Sequence, residues 1–263
     1  MTKFASFSAL IFLLILSIVY ADSPFPIWAE KPNSVYKIID KKDLRMYDLK
    51  PTTNNKFNDY TVLCFFGGGW SGGAPKGSYA SIFNNLGFRV FAPEYRTTEY
   101  FKGNTPADCV EDGVAAYDWL IENATKLKIN KDKIIVTGFS AGGHLAAMIP
   151  IKSKSKTKPC LMLLYSAVLD VSKEGYQGSF PGPLEKTWQD ISPLHLLAKG
   201  YPPTILFAGE KDTIVKSRQA SDFHKKLLTL KVKSTLNLYP EYDHGLGKES
   251  NEKTKSILEE TLK

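Results

Sequence analysis

The pentapeptide Gly138-Phe139-Ser140-Ala141-Gly142 joins the apolar run KIIVTGF (133–139) to the helix-like AGGHLAAMI (141–149). A serine on so sharp a strand-to-helix turn is pushed out of the backbone, and flanking glycines are needed because side chains there collide. Its Oγ then stands at the carboxyl end of the sheet, with the Ala141 amide beside it. A serine hydroxyl is a weak nucleophile and needs a base, itself oriented by an acid. Of the four histidines, His144 lies on the serine's own helix and packs behind it, His195 falls in an irregular stretch, and His224 sits mid-helix among lysines. His244, in the loop YPEYDHGLG after the last strand, is the expected base. Asp212, after the strand ending at Gly209, is the expected acid, with Glu210 as the fallback.

A second feature is FFGGGWSGG (65–73), with five glycines in nine residues behind a strand. Gly67, Gly69 and Gly72 fit the G-x-G-x-x-G pattern that holds a nucleotide pyrophosphate, and Glu94 stands where a ribose-binding acid is sought. That site also needs a helix N-terminus against the glycines, and Ala74-Pro75-Lys76-Gly77 delays the helix. The alternative anion is the oxyanion of acyl transfer, which needs amides aimed at a developing charge. Gly68 and Gly69 are expected to supply two and Ala141 a third.

These groups must be positioned by a framework, and the chain alternates accordingly. VYKIID and LRMYDL read as a hairpin turning at Lys41-Lys42-Asp43. Strands follow at 60–66, 88–93, 133–139, 160–166, 204–210 and 234–240, with helices at 77–87, 106–127, 141–149, 217–230 and 251–262. Such alternation implies an α/β fold: a mostly parallel sheet with helices on both faces and an antiparallel N-terminal hairpin. One domain is expected over 22–263, with 167–203 an irregular insertion near the site.

Residues 1–21 read as a secretory signal peptide: Lys3, then the apolar ALIFLLILSIVY, then Val19 and Ala21 before the cut. A secreted or lumenal chain follows, without membrane insertion after cleavage. Cys64, Cys109 and Cys160 are too few for a disulfide scaffold, although a Cys64–Cys109 bridge is open, and Asn123-Ala124-Thr125 is a glycosylation sequon. The net charge of +7 is spread along the chain, densest at IKSKSKTK (151–158), with no nucleic-acid recognition element beside it. No ligand cluster has metal spacing, so neither metal nor organic cofactor is expected.

The motifs FFGGGWSGG, APEYR, TPADCVEDGVAAYDWL, KIIVTGFSAGGHLAAM, DISPLHLL, PPTILFAGEKDTIV and YPEYDHGLG, spread over about residues 35–260, resemble the α/β-hydrolase esterases and lipases. The likeness is to the hormone-sensitive-lipase-like and feruloyl or acetyl-xylan esterase group. It implies Ser140, Asp212 and His244 as triad, Gly68, Gly69 and Ala141 as oxyanion hole, and a small-molecule or polysaccharide-linked ester as the partner. This chain departs from that group at Phe66, where HGGGW carries histidine, and at Glu94, where aspartate is common. An amide hydrolase of formamidase type would use the same parts, and a catalytically silent binding protein is the rival from another class.

Overall fold

The computed structural model describes residues 34–51, 57, 59–75, 78–176 and 188–262. The segment 1–21, expected to be a signal peptide, and residues 177–187 of the insertion lie outside them. Strands β1 (Ser34–Ile39) and β2 (Lys42–Leu49) pair antiparallel. Their turn is Asp40-Lys41, one residue earlier than the sequence suggests, with φ of 49° and 63° at the two positions. Two positive φ values make the primed turn whose twist suits a tight hairpin.

Strands β3 (Thr61–Phe65), β4 (Arg89–Pro93), β5 (Ile134–Phe139), β6 (Leu161–Tyr165), β7 (Thr204–Gly209) and β8 (Ser234–Tyr239) complete one sheet in the order β1-β2-β4-β3-β5-β6-β7-β8. β2 pairs with β4 antiparallel, and every later pairing is parallel. β3, β5, β6 and β7 read as nearly unbroken apolar runs because both of their faces are covered. The expected α/β architecture is therefore the one present.

Among the described residues five longer helices cover the sheet: α1 (Ser78–Asn85), α2 (Pro106–Glu122), α3 (Ala141–Lys152), α4 (Arg218–Thr229) and α5 (Gly247–Thr261). α2 starts on a capping box: Thr105 Oγ1 accepts from the Asp108 amide and the Asp108 carboxylate accepts from the Thr105 amide, with Pro106 opening the helix. It ends at Asn123, whose Nδ2 donates to the Trp119 carbonyl at 2.9 Å. A separate turn, Ala124–Leu127, follows instead of the single helix expected to 127. The sequon asparagine thus lies half-buried at a helix junction. α3 is buried from Ala141 through Pro150, as a helix apolar on all sides must be.

The sheet separates two cores. Leu63, Phe65, Val136 and Leu164 face α2 and α3, whereas Val62, Cys64, Ile135 and Leu163 face α1 and α5. Cys109 of α2 belongs to the first and Cys64 to the second, so the sheet stands between them and no bridge forms. Burial pushes the Cys64 thiol up to about 12, which suits an inert packed group. Among the described residues no helix is long and apolar enough to cross a membrane, and no cluster could hold a metal ion.

Candidate active site

Ser140 sits between β5 and α3 with φ 55° and ψ −120°, a sparsely populated region for a residue with a side chain. Three backbone bonds hold it there. Its N–H donates to the Tyr165 carbonyl at 2.9 Å, and its carbonyl accepts from His144 and Val168. The flanking glycines are explained by contact. A Cβ on Gly138 would lie 2.3 Å from the Gly142 carbonyl oxygen, and one on Gly142 would lie 2.2 Å from that of Phe66. Gly142 therefore lets the serine helix press directly on the glycine loop.

Asp212 and His244 come together from the ends of β7 and β8. His244 Nδ1 lies 2.7 Å from Asp212 Oδ2, while Asp212 Oδ1 accepts from the Ile214 and Val215 amides, each at 2.8 Å. The Asp212 carboxylate is fully buried and the His244 ring half-buried. The loop carrying His244 is lashed to the end of β7, because the Glu210 and Lys211 amides donate to the Tyr239 and Tyr242 carbonyls. Gly209 is required at that crossing: a Cβ would stand 2.3 Å from two carbonyl oxygens, those of Tyr242 and Asp243. Glu210, the fallback acid, is exposed.

The His244 ring rests on Phe139, with centroids 4.7 Å apart, and Phe139 precedes Ser140. The Asp–His pair therefore sits against the residue that precedes the serine. Ser140 Oγ makes no hydrogen bond among the described residues; such bonds commonly tighten only around bound substrate. His195 and His224 stand elsewhere, His195 with Ser192 and Asp170, His224 against Ser234.

The glycine loop leaves β3 and turns sharply, with φ of 128° at Gly68, 59° at Gly69 and 58° at Trp70. A Cβ on Gly68 would lie 2.2 Å from the Gly72 carbonyl oxygen, so this position needs glycine for space as well as for φ. The Gly68 carbonyl accepts from Ser71 and Gly72, closing the turn. Among the described residues no carbonyl accepts from the Gly68 or Gly69 amide, and Ala141, first in its helix, has no partner within that helix.

Phe66 is held by stacking. Its ring lies 4.1 Å from that of Tyr95, nearly parallel, and Tyr95 Oη donates to the Phe66 carbonyl at 2.8 Å. Phenylalanine thus anchors the loop by packing where the resembling group carries histidine. Phe66→Ala is expected to destabilise the fold by about 3 kcal/mol, read by denaturant unfolding, and to lower kcat more than it raises KM. Glu94 is fully buried and accepts from the Arg45 amide and Tyr47 Oη, a structural post rather than a ribose acceptor.

The contact between Trp70 and His144 lies beyond the reach of sequence reasoning. Trp70, wholly buried, donates from Nε1 to His144 Nδ1 at 3.2 Å, and His144 Nε2 lies 2.6 Å from the Ile191 carbonyl. The pair ties the glycine loop to α3. Its only sequence signal is the placement of His144 one helical turn after Ser140.

With Nδ1 accepting, Nε2 carries the proton and the ring is neutral. Burial pulls its pKa down to about 4. Since the folded value is below the unfolded one near 6.5, stability is complete above about pH 6.5 and falls as pH drops toward 4, by roughly 3 kcal/mol from this group. Urea unfolding from pH 7 to pH 4.5 should show that slope, and His144→Gln should flatten it.

A family model described as BD-FAE matches residues 47–180. The acetylxylan esterase of Xylanibacter ruminicola is 25% identical over 219 residues, covering 71% of this chain and 43% of that protein, so the chain spans less than half of that relative's length. Thermogutta terrifontis esterase 2 phosphoramylated by tabun superposes with a TM-score of 0.76 at 27% identity, over 90% of this chain and 95% of that one. The Thermogutta terrifontis Est2 structure with propionate bound gives 0.73 at 27% identity, over 90% and 95%. On its sheet topology, its serine elbow and these matches, the chain belongs to the BD-FAE family of α/β-hydrolase esterases and lipases.

Proposed function

We propose that the chain is a secreted serine hydrolase that cleaves carboxylic esters through an acyl-enzyme. The observation that carries this reading is the Asp212–His244 pair, closed at 2.7 Å and seated on Phe139 beside the strained Ser140. Ser140 Oγ attacks the ester carbonyl carbon while His244 Nε2 takes its proton. The carbonyl π pair moves to oxygen, and the Gly68, Gly69 and Ala141 amides hold that charge, each worth on the order of 3 kcal/mol. Collapse breaks the bond to the alcohol oxygen, which leaves with the proton from His244. Water, deprotonated by the same histidine, then attacks the acyl carbon and releases the acid and the free serine.

Asp212 fixes the tautomer: its carboxylate accepts from Nδ1–H, leaving Nε2 to take the proton. Propionate bound in the Thermogutta esterase supports a short acyl group here. Secretion rests on the segment 1–21. An amide hydrolase of formamidase type would share every one of these groups, and N-formylkynurenine belongs in the substrate screen for that reason. A fluorophosphonate probe followed by peptide mass spectrometry tests the reaction class: the folded protein is expected to be labelled at Ser140. Absence of labelling would favour the silent binding protein.

A further inference from the structure

Ser166, the first residue past β6, adopts φ 39° although it carries a side chain, and it is buried. Glycine takes a positive φ at no steric cost, so a serine held there in strain points to a task for its hydroxyl. Its N–H donates to the Phe207 carbonyl of β7 at 2.8 Å, and its Oγ donates to the His244 carbonyl at 3.1 Å. Among the described residues no other donor reaches that carbonyl. The neighbours of Ser166 hold the nucleophile. The Tyr165 carbonyl accepts from the Ser140 N–H at 2.9 Å, and the Val168 N–H donates to the Ser140 carbonyl at 3.2 Å. One short segment therefore grips the backbones of both Ser140 and His244.

His244 needs such a hold. Its loop is tied to the end of β7 through the Tyr239 and Tyr242 carbonyls, which precede it, and the Gly245 amide turns back to Asp243 Oδ1. Asp212 fixes the ring at Nδ1 and Phe139 supports it, but both act on the side chain and leave its backbone free. The imidazole must pass a proton across roughly 3 Å, and a small shift of the loop would take it out of that range. We propose that Ser166 is a positioning residue for acyl transfer, its hydroxyl setting the place of His244 from the segment that also holds Ser140. The inference rests on the Ser140–His244 reading given above. Ser166 meets the His244 backbone, so it acts through the base.

The test measures kcat, KM and the thermal transition of Ser166→Gly and Ser166→Ala with p-nitrophenyl butyrate. Both variants lose the hydroxyl, whereas glycine alone relieves the positive φ, so Ser166→Gly should melt no lower than Ser166→Ala. Turnover should follow the hydroxyl instead, kcat falling about 10- to 100-fold in both, the scale of a displacement of about 1 Å. KM should change by less than about twofold, because the groups that bind substrate are untouched. A cycle with His244→Ala separates positioning from general support: with the imidazole gone, adding Ser166→Gly should alter the residual turnover by less than about twofold. Native kcat in either folded variant overturns the proposal, as does an undiminished loss in the His244→Ala background. Fluorophosphonate labelling of the native protein and turnover of His244→Ala are read alongside. If Ser140 is not labelled, or His244→Ala is fully active, the Ser140–His244 reading falls and this proposal with it.

Discussion

Ser140→Ala is expected to lower ester turnover by about 10⁴- to 10⁶-fold, the range over which a nucleophile carries acyl transfer when the oxyanion donors remain. Alanine keeps the Cβ and loses only Oγ, which bonds nothing in the free protein among the described residues, so the elbow keeps its three backbone bonds. Unfolding should therefore shift by less than about 1 kcal/mol, and relief of strain is not expected because φ 55° suits alanine no better than serine. Steady-state kinetics on a butyrate ester, beside denaturant melts of both proteins, decide the matter. Undiminished turnover in the variant would sink the nucleophile assignment.

Asp212→Asn should cost about 10⁴-fold in kcat near neutral pH. The asparagine carbonyl can go on accepting from the Ile214 and Val215 amides, which fixes its orientation. Its amide group must then face His244 Nδ1, where an acceptor stood. The imidazole responds by carrying its proton on Nε2, and that nitrogen can no longer accept the serine proton. The loss is in tautomer rather than in fold, so the thermal transition should stay close to that of the native protein. Full activity in Asp212→Asn, or a comparable loss in Glu210→Gln, would move the acid role to Glu210.

Interactions that act within a few residues are legible in the sequence. Apolar runs of five or six residues announce β3, β5, β6 and β7, since strands covered on both faces need no polar alternation. Thr105-Pro106 and Asp108 mark the start of α2 by local capping. Even locally, two boundaries escape. The Asp40-Lys41 turn lacks the Gly or Asn that signals two positive φ values. Asn123 breaks a helix whose periodicity runs on past it.

For the site, the sequence alone determined the candidate nucleophile, acid and base and their chain order: Ser140 on its elbow, then Asp212, then His244. It also located Phe66 as the departure from the resembling group. Only the tertiary structure decided what replaces the histidine there, a ring stacked on Tyr95, 29 positions further along the chain. It alone joined Trp70 to His144 across 74 residues and put Cys64 and Cys109 on opposite sides of the sheet. The reason is the range of the forces. Backbone propensity and hydrophobic period are written residue by residue, whereas a contact between distant side chains exists only once the parallel strands have closed in register. Which partner a buried aromatic or imidazole finds is then set by packing geometry, and no local pattern carries that information.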